Sequence, residues 1–202
     1  MPTLLITGFG PFPGAPFNPT GPLVRRLARR RRPAFAGTPR IPHVFRTSYA
    51  TIKRELPELI IRHRPDAILM FGLAARTWHL RIETQARNAV SMVFADADRR
   101  KPDAQVLTAN DCASLRIRAP FMRLLQAARA SGVPAKLSRD AGRYLCNALF
   151  WRALEAAAGN HGPRVVTFVH VPRLRANLTL TDLVRAGEAI MFEVLAAARR
   201  PR

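Results

Sequence analysis

Cysteine is scarce in this chain. Among 202 residues only Cys112 and Cys146 occur, and no C-x-x-C pair is present. Two thiols without that spacing make no disulfide framework, and they argue against a structural zinc site, so no metal is expected. They suit a reduced setting, and a cytoplasmic location is the expectation. No apolar run approaches the roughly 18–20 residues that a bilayer span needs, so no membrane helix is expected. The start, Met1 to Thr7, has no basic segment ahead of its apolar stretch, so no signal peptide is expected either.

Lysine is also nearly absent. The formal net charge is +20, yet only Lys53, Lys101 and Lys136 among 33 cationic residues are lysines. Arginine dominance beside abundant Ala and Pro is what GC-rich coding produces without any partner. The densest run, Arg25 to Arg32, carries Leu23, Val24, Leu27 and Ala28 at helical spacing. Its arginines therefore read as a solvated face and a last turn, where cations suit the helix dipole. No helix-turn-helix, zinc-finger or aromatic stacking motif is present, so no specific nucleic-acid partner is expected. A catalytically silent, arginine-rich binder of an anionic polymer is the alternative that the charge alone supports.

Strand and helix patterns alternate along the whole length. Thr3 to Phe9 reads as a buried strand entering a Gly/Pro loop that includes Pro13, and Asn18-Pro19-Thr20 as a helix start. A short strand is expected from His43 to Thr47, a helix over Tyr49 to His63 and an apolar strand over Asp66 to Gly72. His79 to Asn88 alternates like one strand near a sheet edge, and Ala95 to Asn110 reads as a loop. Helices follow at Leu115 to Ala130, Gly142 to Ala158 and Asp182 to Arg199, with strands at Ala135 to Ser138 and Arg164 to Val171. This order predicts an α/β class, one domain over residues 1–202, a three-layer α/β/α sandwich around a mostly parallel sheet.

Cys146 lies where a strand gives way to a helix, and a helix start stabilises a thiolate through its free N–H groups and dipole. The same position also suits an ordinary small buried residue. His170 ends the strand Val165 to His170, at the edge where catalytic groups of open α/β sheets collect. An imidazole there can take a thiol proton and return it to a leaving amine, or can be a satisfied structural histidine. Glu83 is an acid on a mostly apolar strand. It could orient a histidine, sit exposed, or pair with Arg81 or Arg87.

Together these residues form a pattern that resembles the pyroglutamyl-peptidase I family over nearly the full length. Four anchors occur in order: Thr7-Gly8-Phe9-Gly10-Pro11-Phe12 with Asn18-Pro19-Thr20; Gly72 with Glu83, Ala86 and Asn88; Ala141 to Asn147; and Phe168-Val169-His170-Val171-Pro172. The resemblance implies Cys146 as nucleophile, His170 as general base and acid, and Glu83 as the orienting carboxylate. It implies Phe9 and Phe12 as walls of a slot for a flat lactam, with Asn18 contacting substrate or its own loop. It further implies no cofactor, N-terminally pyroglutamylated peptides as substrates, and assembly into homo-oligomers. Leu73, where bacterial relatives commonly carry glutamine, Thr84, and the stretch Ala89 to Asp96 depart from the family pattern. They leave open a related cysteine amidohydrolase with a shifted acyl preference. Cys112 lies beside the divergent loop with no comparable motif and is expected not to be catalytic.

Overall fold

In the computed structural model, residues 1–12, 14–109, 112–117 and 119–200 are described. Pro13 of the amino-terminal loop and Asn110-Asp111 before Cys112 lie outside the described residues. The first strand, β1 (Leu4–Phe9), is buried along its whole length. It is followed by α1 (Thr20–Ala28), β2 (Arg40–Phe45), α2 (Tyr49–His63) and β3 (Ala67–Leu73). Then come β4 (Leu80–Glu83), β5 (Gln85–Arg87), β6 (Ser114–Arg116), α3 (Phe121–Ala130), β7 (Ala135–Ser138), α4 (Leu145–Ala158), β8 (Val165–Val171) and α5 (Leu180–Ala198).

Local chemistry explains the helix limits. The Ser48 side chain caps α2 by accepting from the Thr51 N–H, and Arg64 in the left-handed region, followed by Pro65, ends it. In α5 the Thr179 and Asp182 side chains form a reciprocal capping box.

The six strands of the main sheet lie in the order β2-β1-β3-β8-β4-β7. All neighbours are parallel except β8 and β4, which run opposite ways, so the expected mostly parallel sheet is present. Near-continuous apolar burial of β1, β3 and β8 is what a sheet covered on both faces demands. α1, α3 and α5 pack together, and α2 packs with α4, giving the α/β/α layers. β5 and β6 form a separate antiparallel pair against α4.

Several element limits differ from the sequence reading. The strand expected from His43 to Thr47 is β2, Arg40–Phe45, which starts three residues earlier and ends two earlier. The stretch His79 to Asn88 splits at Thr84 into β4 and β5, which belong to different sheets. Thr84 turns the chain by bonding its N–H and hydroxyl to the Ser138 carbonyl at 2.7 and 2.9 Å. Leu115 belongs to β6, and the helix starts only after Pro120. Gly142 stands outside α4 because its φ of 81° is left-handed.

Candidate active site

The site sits where β3, β8 and β4 lie side by side under the start of α4. In the parallel register Gly72 of β3 faces His170 of β8, and on the other flank Arg81 of β4 faces His170. Glu83 is opposite Phe168, one step inward from the strand end. Residues two apart on a strand share a face, so His170, Phe168, Arg81 and Glu83 all turn toward the α4 layer.

The approach to Cys146 is built by short-range bonds. The Asp140 amide donates to Ser138 Oγ at 3.1 Å, and the Gly142 amide donates to Asp140 Oδ1 at 3.1 Å. Gly142 then reverses the chain in its left-handed conformation, and Tyr144 enters extended as the residue before α4. Cys146 is thus the second residue of the helix. Tyr144 supplies no side-chain cap. The first-turn amides therefore point toward the thiol's side of the molecule with their dipole unspent on a cap.

Asn147 locks this helix start in place. It is fully buried. Its Oδ1 accepts from the Arg87 amide at 2.9 Å, and its Nδ2 donates to the carbonyls of Arg87 and Ala89 at 2.8 and 2.9 Å. The Cys146 sulfur packs on bare backbone: a methyl at Gly72 would lie 2.7 Å from Sγ and 2.7 Å from the Phe168 ring.

His170 is 5% exposed and packs against Phe168 at 4.9 Å between ring centres, the two rings tilted by 56°. Its Nδ1 donates to Glu83 Oε1 at 2.8 Å. Nε2 is the other polar atom of the ring, and Gly72, whose neighbour across the register is His170, is the backbone on which the Cys146 sulfur rests. Burial alone would depress the imidazole pKa. The neighbouring Cys146 sulfur and then Glu83 outweigh burial and raise it to about 9. A cationic imidazole is the form this favours.

Glu83 has no exposed surface. Its Oε1 also lies 3.2 Å from Arg81 Nε, while among the described residues Oε2 makes no hydrogen bond. The open alternatives for Glu83 are therefore resolved in one direction: it is buried and touches both His170 and Arg81.

The amino-terminal loop leaves β1 at the same sheet edge. Phe9 is 2% exposed, its ring 6.2 Å from that of Phe45, whereas Phe12 is half-buried. Asn18 holds the loop's own backbone: its Nδ2 donates to the Gly10 carbonyl at 3.1 Å, and its Oδ1 accepts from the Thr20 amide and hydroxyl.

Two residues with positional roles escaped the sequence reading. Asn147 was visible only as a neighbour of Cys146. Asp96, buried, accepts from the amides of Tyr49, Asp98 and Arg100 and so pins the 91–100 loop to the start of α2. Its only signal was an acid ending the apolar run Met92 to Ala95 and opening a charged segment. Tyr144 reaches the same loop, donating its hydroxyl to the Ala95 carbonyl at 2.8 Å, with Phe94 edge-on at 6.5 Å. Cys112 is exposed and lies outside this cluster. Among the described residues no three His, Cys, Asp or Glu side chains are grouped to hold a metal ion, and no helix is long and apolar enough to cross a membrane.

Comparisons with known proteins agree in one direction. A family model described as pyroglutamyl peptidase matches residues 2–192. Pyrrolidone-carboxylate peptidase 1 of Ralstonia nicotianae is 33% identical over 177 residues, covering 87% of this chain and 80% of that protein. The pyrrolidone-carboxylate peptidase of Thermococcus kodakarensis is 28% identical over 169 residues, covering 84% and 80%. In fold, the crystal structure of Bacillus amyloliquefaciens pyroglutamyl peptidase I superposes with a TM-score of 0.86 at 24% identity, covering 97% of this chain and 98% of that one. Pyrrolidone carboxyl peptidase from Thermococcus litoralis gives 0.88 at 23% identity, with 97% and 94% covered.

Proposed function

This chain belongs to the pyroglutamyl peptidase family of cysteine-type peptidases, and from that premise we propose that Cys146, His170 and Glu83 hydrolyse the amide that follows an N-terminal pyroglutamyl residue. One observation carries the roles: a single buried imidazole is held by Glu83 at Nδ1, at 2.8 Å, beside the strand glycine on which the Cys146 sulfur packs.

The resting pair is thiolate and imidazolium. The sulfur attacks the amide carbonyl carbon, and the carbonyl π electrons move onto oxygen. First-turn amides of α4 stabilise that oxyanion. Collapse breaks the C–N bond, and the leaving amine takes its proton from His170 Nε2. Neutral His170 then takes a proton from water as its oxygen attacks the thioester. The second collapse releases pyroglutamate and restores thiolate and imidazolium. Glu83 keeps the proton on Nδ1 and steadies the positive ring throughout.

A pyroglutamyl ring is a neutral lactam, so its site needs no carboxylate for an α-ammonium group. Phe12 would wall the slot, with Phe9 supporting it from beneath and Asn18 fixing the loop that carries both. The enzyme works as one catalytic domain in the cytoplasm, a setting supported by its two-cysteine composition. Exposed Phe121, Met122 and Phe192 on the packed helices α3 and α5 support homo-oligomer formation.

The test is amine release from a pyroglutamyl amide under reducing conditions. Turnover by wild type and Cys112→Ser, with none by a folded Cys146→Ala, is the expected result. Full activity in Cys146→Ala would overturn the mechanism. A second reading, the same chemistry on a different small acyl group, is favoured by half-buried Leu73 and by the exposed apolar run Met92-Val93-Phe94 near Tyr144. Clear preference for the pyroglutamyl compound in a panel of acyl amides would remove it.

A further inference from the structure

We propose that Arg81 is a positioning residue of the acid–base pair: its guanidinium shares the very Glu83 oxygen that holds His170, and so loosens the imidazole's grip on its proton. The proposal rests on the roles assigned above to His170 and Glu83.

The geometry is specific. Arg81 lies directly across from His170 in the antiparallel β4–β8 register, and Glu83 is two residues further on the same face. Arg81 Nε is 3.2 Å from Glu83 Oε1, and His170 Nδ1 is 2.8 Å from the same oxygen. The other carboxylate oxygen takes no hydrogen bond among the described residues. Two cationic groups therefore converge on one atom of a fully buried carboxylate.

The arginine is not a swinging surface side chain. It is three-quarters buried, with 25% of its side chain exposed. Its far end donates to Ser138 Oγ at 2.6 Å and to the Asp140 carbonyl. Those acceptors begin the turn that delivers Cys146. Arg81 thus links the carboxylate strand to the nucleophile's approach, as well as adding a charge.

The consequence follows from Coulomb's law. With both legs ending on one oxygen, Nε and Nδ1 are no more than about 6 Å apart. A permanent cation at that range opposes the imidazolium directly and takes up part of the charge that Glu83 would otherwise spend on it. A general acid serves best when its proton is not held too tightly at the working pH.

The other groups around the ring are few. β3 contributes Gly72, which has no charge, and α4 contributes Cys146. Tyr49 from α2, Tyr144 and Asp96 face one another near Cys146. His79, ahead of β4, lies within the fields of both Lys136 of β7 and Arg81. Arg87 Nε approaches Asp140 at 3.9 Å. Of the arginines among these, Arg81 alone touches Glu83.

The measurement is the NMR titration of the His170 imidazole in carbon-labelled protein, assigned by its loss in His170→Asn. It is made for wild type, Arg81→Met and Arg81→Lys, with Arg81→Gln in place of the methionine variant if that one does not fold. The expected result is an upward shift of the midpoint by about 0.5–2 pH units in Arg81→Met, largely restored in Arg81→Lys. The alkaline limb of kcat should move the same way, with kcat falling and KM little changed. A folded Arg81→Met whose midpoint and alkaline limb match wild type would overturn the proposal. A shifted midpoint in a protein that ignores pyroglutamyl amides would support it while sinking the substrate reading, so the two failures are distinct.

Discussion

Replacing Gly72 by alanine places one methyl group into the contact between the reacting sulfur and the sheet. The added carbon would lie 2.7 Å from Cys146 Sγ, 2.7 Å from Phe168 Cζ and 2.9 Å from Phe168 Cε1. Gly72 is not among the residues with left-handed backbone, so the cost is steric and not conformational. Phe168 has little room to give: it is fully buried between Phe150, at 5.6 Å, and the His170 ring, at 4.9 Å. The sulfur is the freer partner, and regaining ordinary contact requires it to retreat by roughly 1 Å, a displacement on the scale that costs about a hundredfold in rate. The residual crowding should destabilise the fold by about 1–3 kcal/mol. For a chain of this size that corresponds to about 2–4 °C in Tm for each kcal/mol. Turnover of a pyroglutamyl amide and thermal unfolding, measured on the same preparation, read the two effects separately. Wild-type turnover together with wild-type Tm in Gly72→Ala would refute the claim that the thiol rests on bare backbone.

Asn147→Asp preserves shape but cannot donate to the Arg87 and Ala89 carbonyls, which Asn147 Nδ2 reaches at 2.8 and 2.9 Å. Urea unfolding should show a loss of about 2–4 kcal/mol, and an unchanged midpoint would contradict the assigned bonds. The His170 shift makes its own contribution to the pH dependence of stability. Its folded pKa of about 9 exceeds the ordinary 6.5, so the stabilisation is complete below about 6.5 and disappears as pH rises through about 9. Tm plotted from pH 6 to 10 should fall across that window in wild type, and His170→Asn should flatten the fall. A wild-type curve that matches the His170→Asn curve across that window would contradict the raised imidazole pKa.

What could be read from the chain depended on how local the cause was. The bounds of α2, Tyr49 to His63, were legible because Ser48 and Pro65 mark both ends by chemistry within a few residues. The interior strands were legible from their continuous apolar runs. The split of β4 from β5 was not. The alternation continues through Thr84, and the bonds that bend the chain there come from Ser138, far away in sequence. The helix expected from Leu115 failed for a similar reason: its apolar spacing is compatible with helix, but Ser114 to Arg116 finds a strand partner in β5. Cys146, His170 and Glu83 could each be named from the sequence, yet their meeting could not, since 87 residues separate the paired carboxylate and imidazole. Arg81 was visible only as one of two possible partners. Its position opposite His170 arises from an antiparallel register that a mostly parallel pattern does not announce.

The loop over residues 89–100 hangs from separate hooks. Asn147 grips its beginning and Asp96 its end, and neither bond passes through the sulfur, the imidazole or the carboxylate. Heredity can therefore treat this stretch differently from the rest. Between the two hooks the Ser91 amide bonds to the Arg143 carbonyl and the Tyr144 hydroxyl to the Ala95 carbonyl, while the side chains of Met92, Val93 and Phe94 remain largely exposed. Substitutions at the exposed Met92 and Val93 would alter the surface beside the site with the bonds of Asn147 and Asp96 left in place, which makes these positions the natural place for a designer to begin.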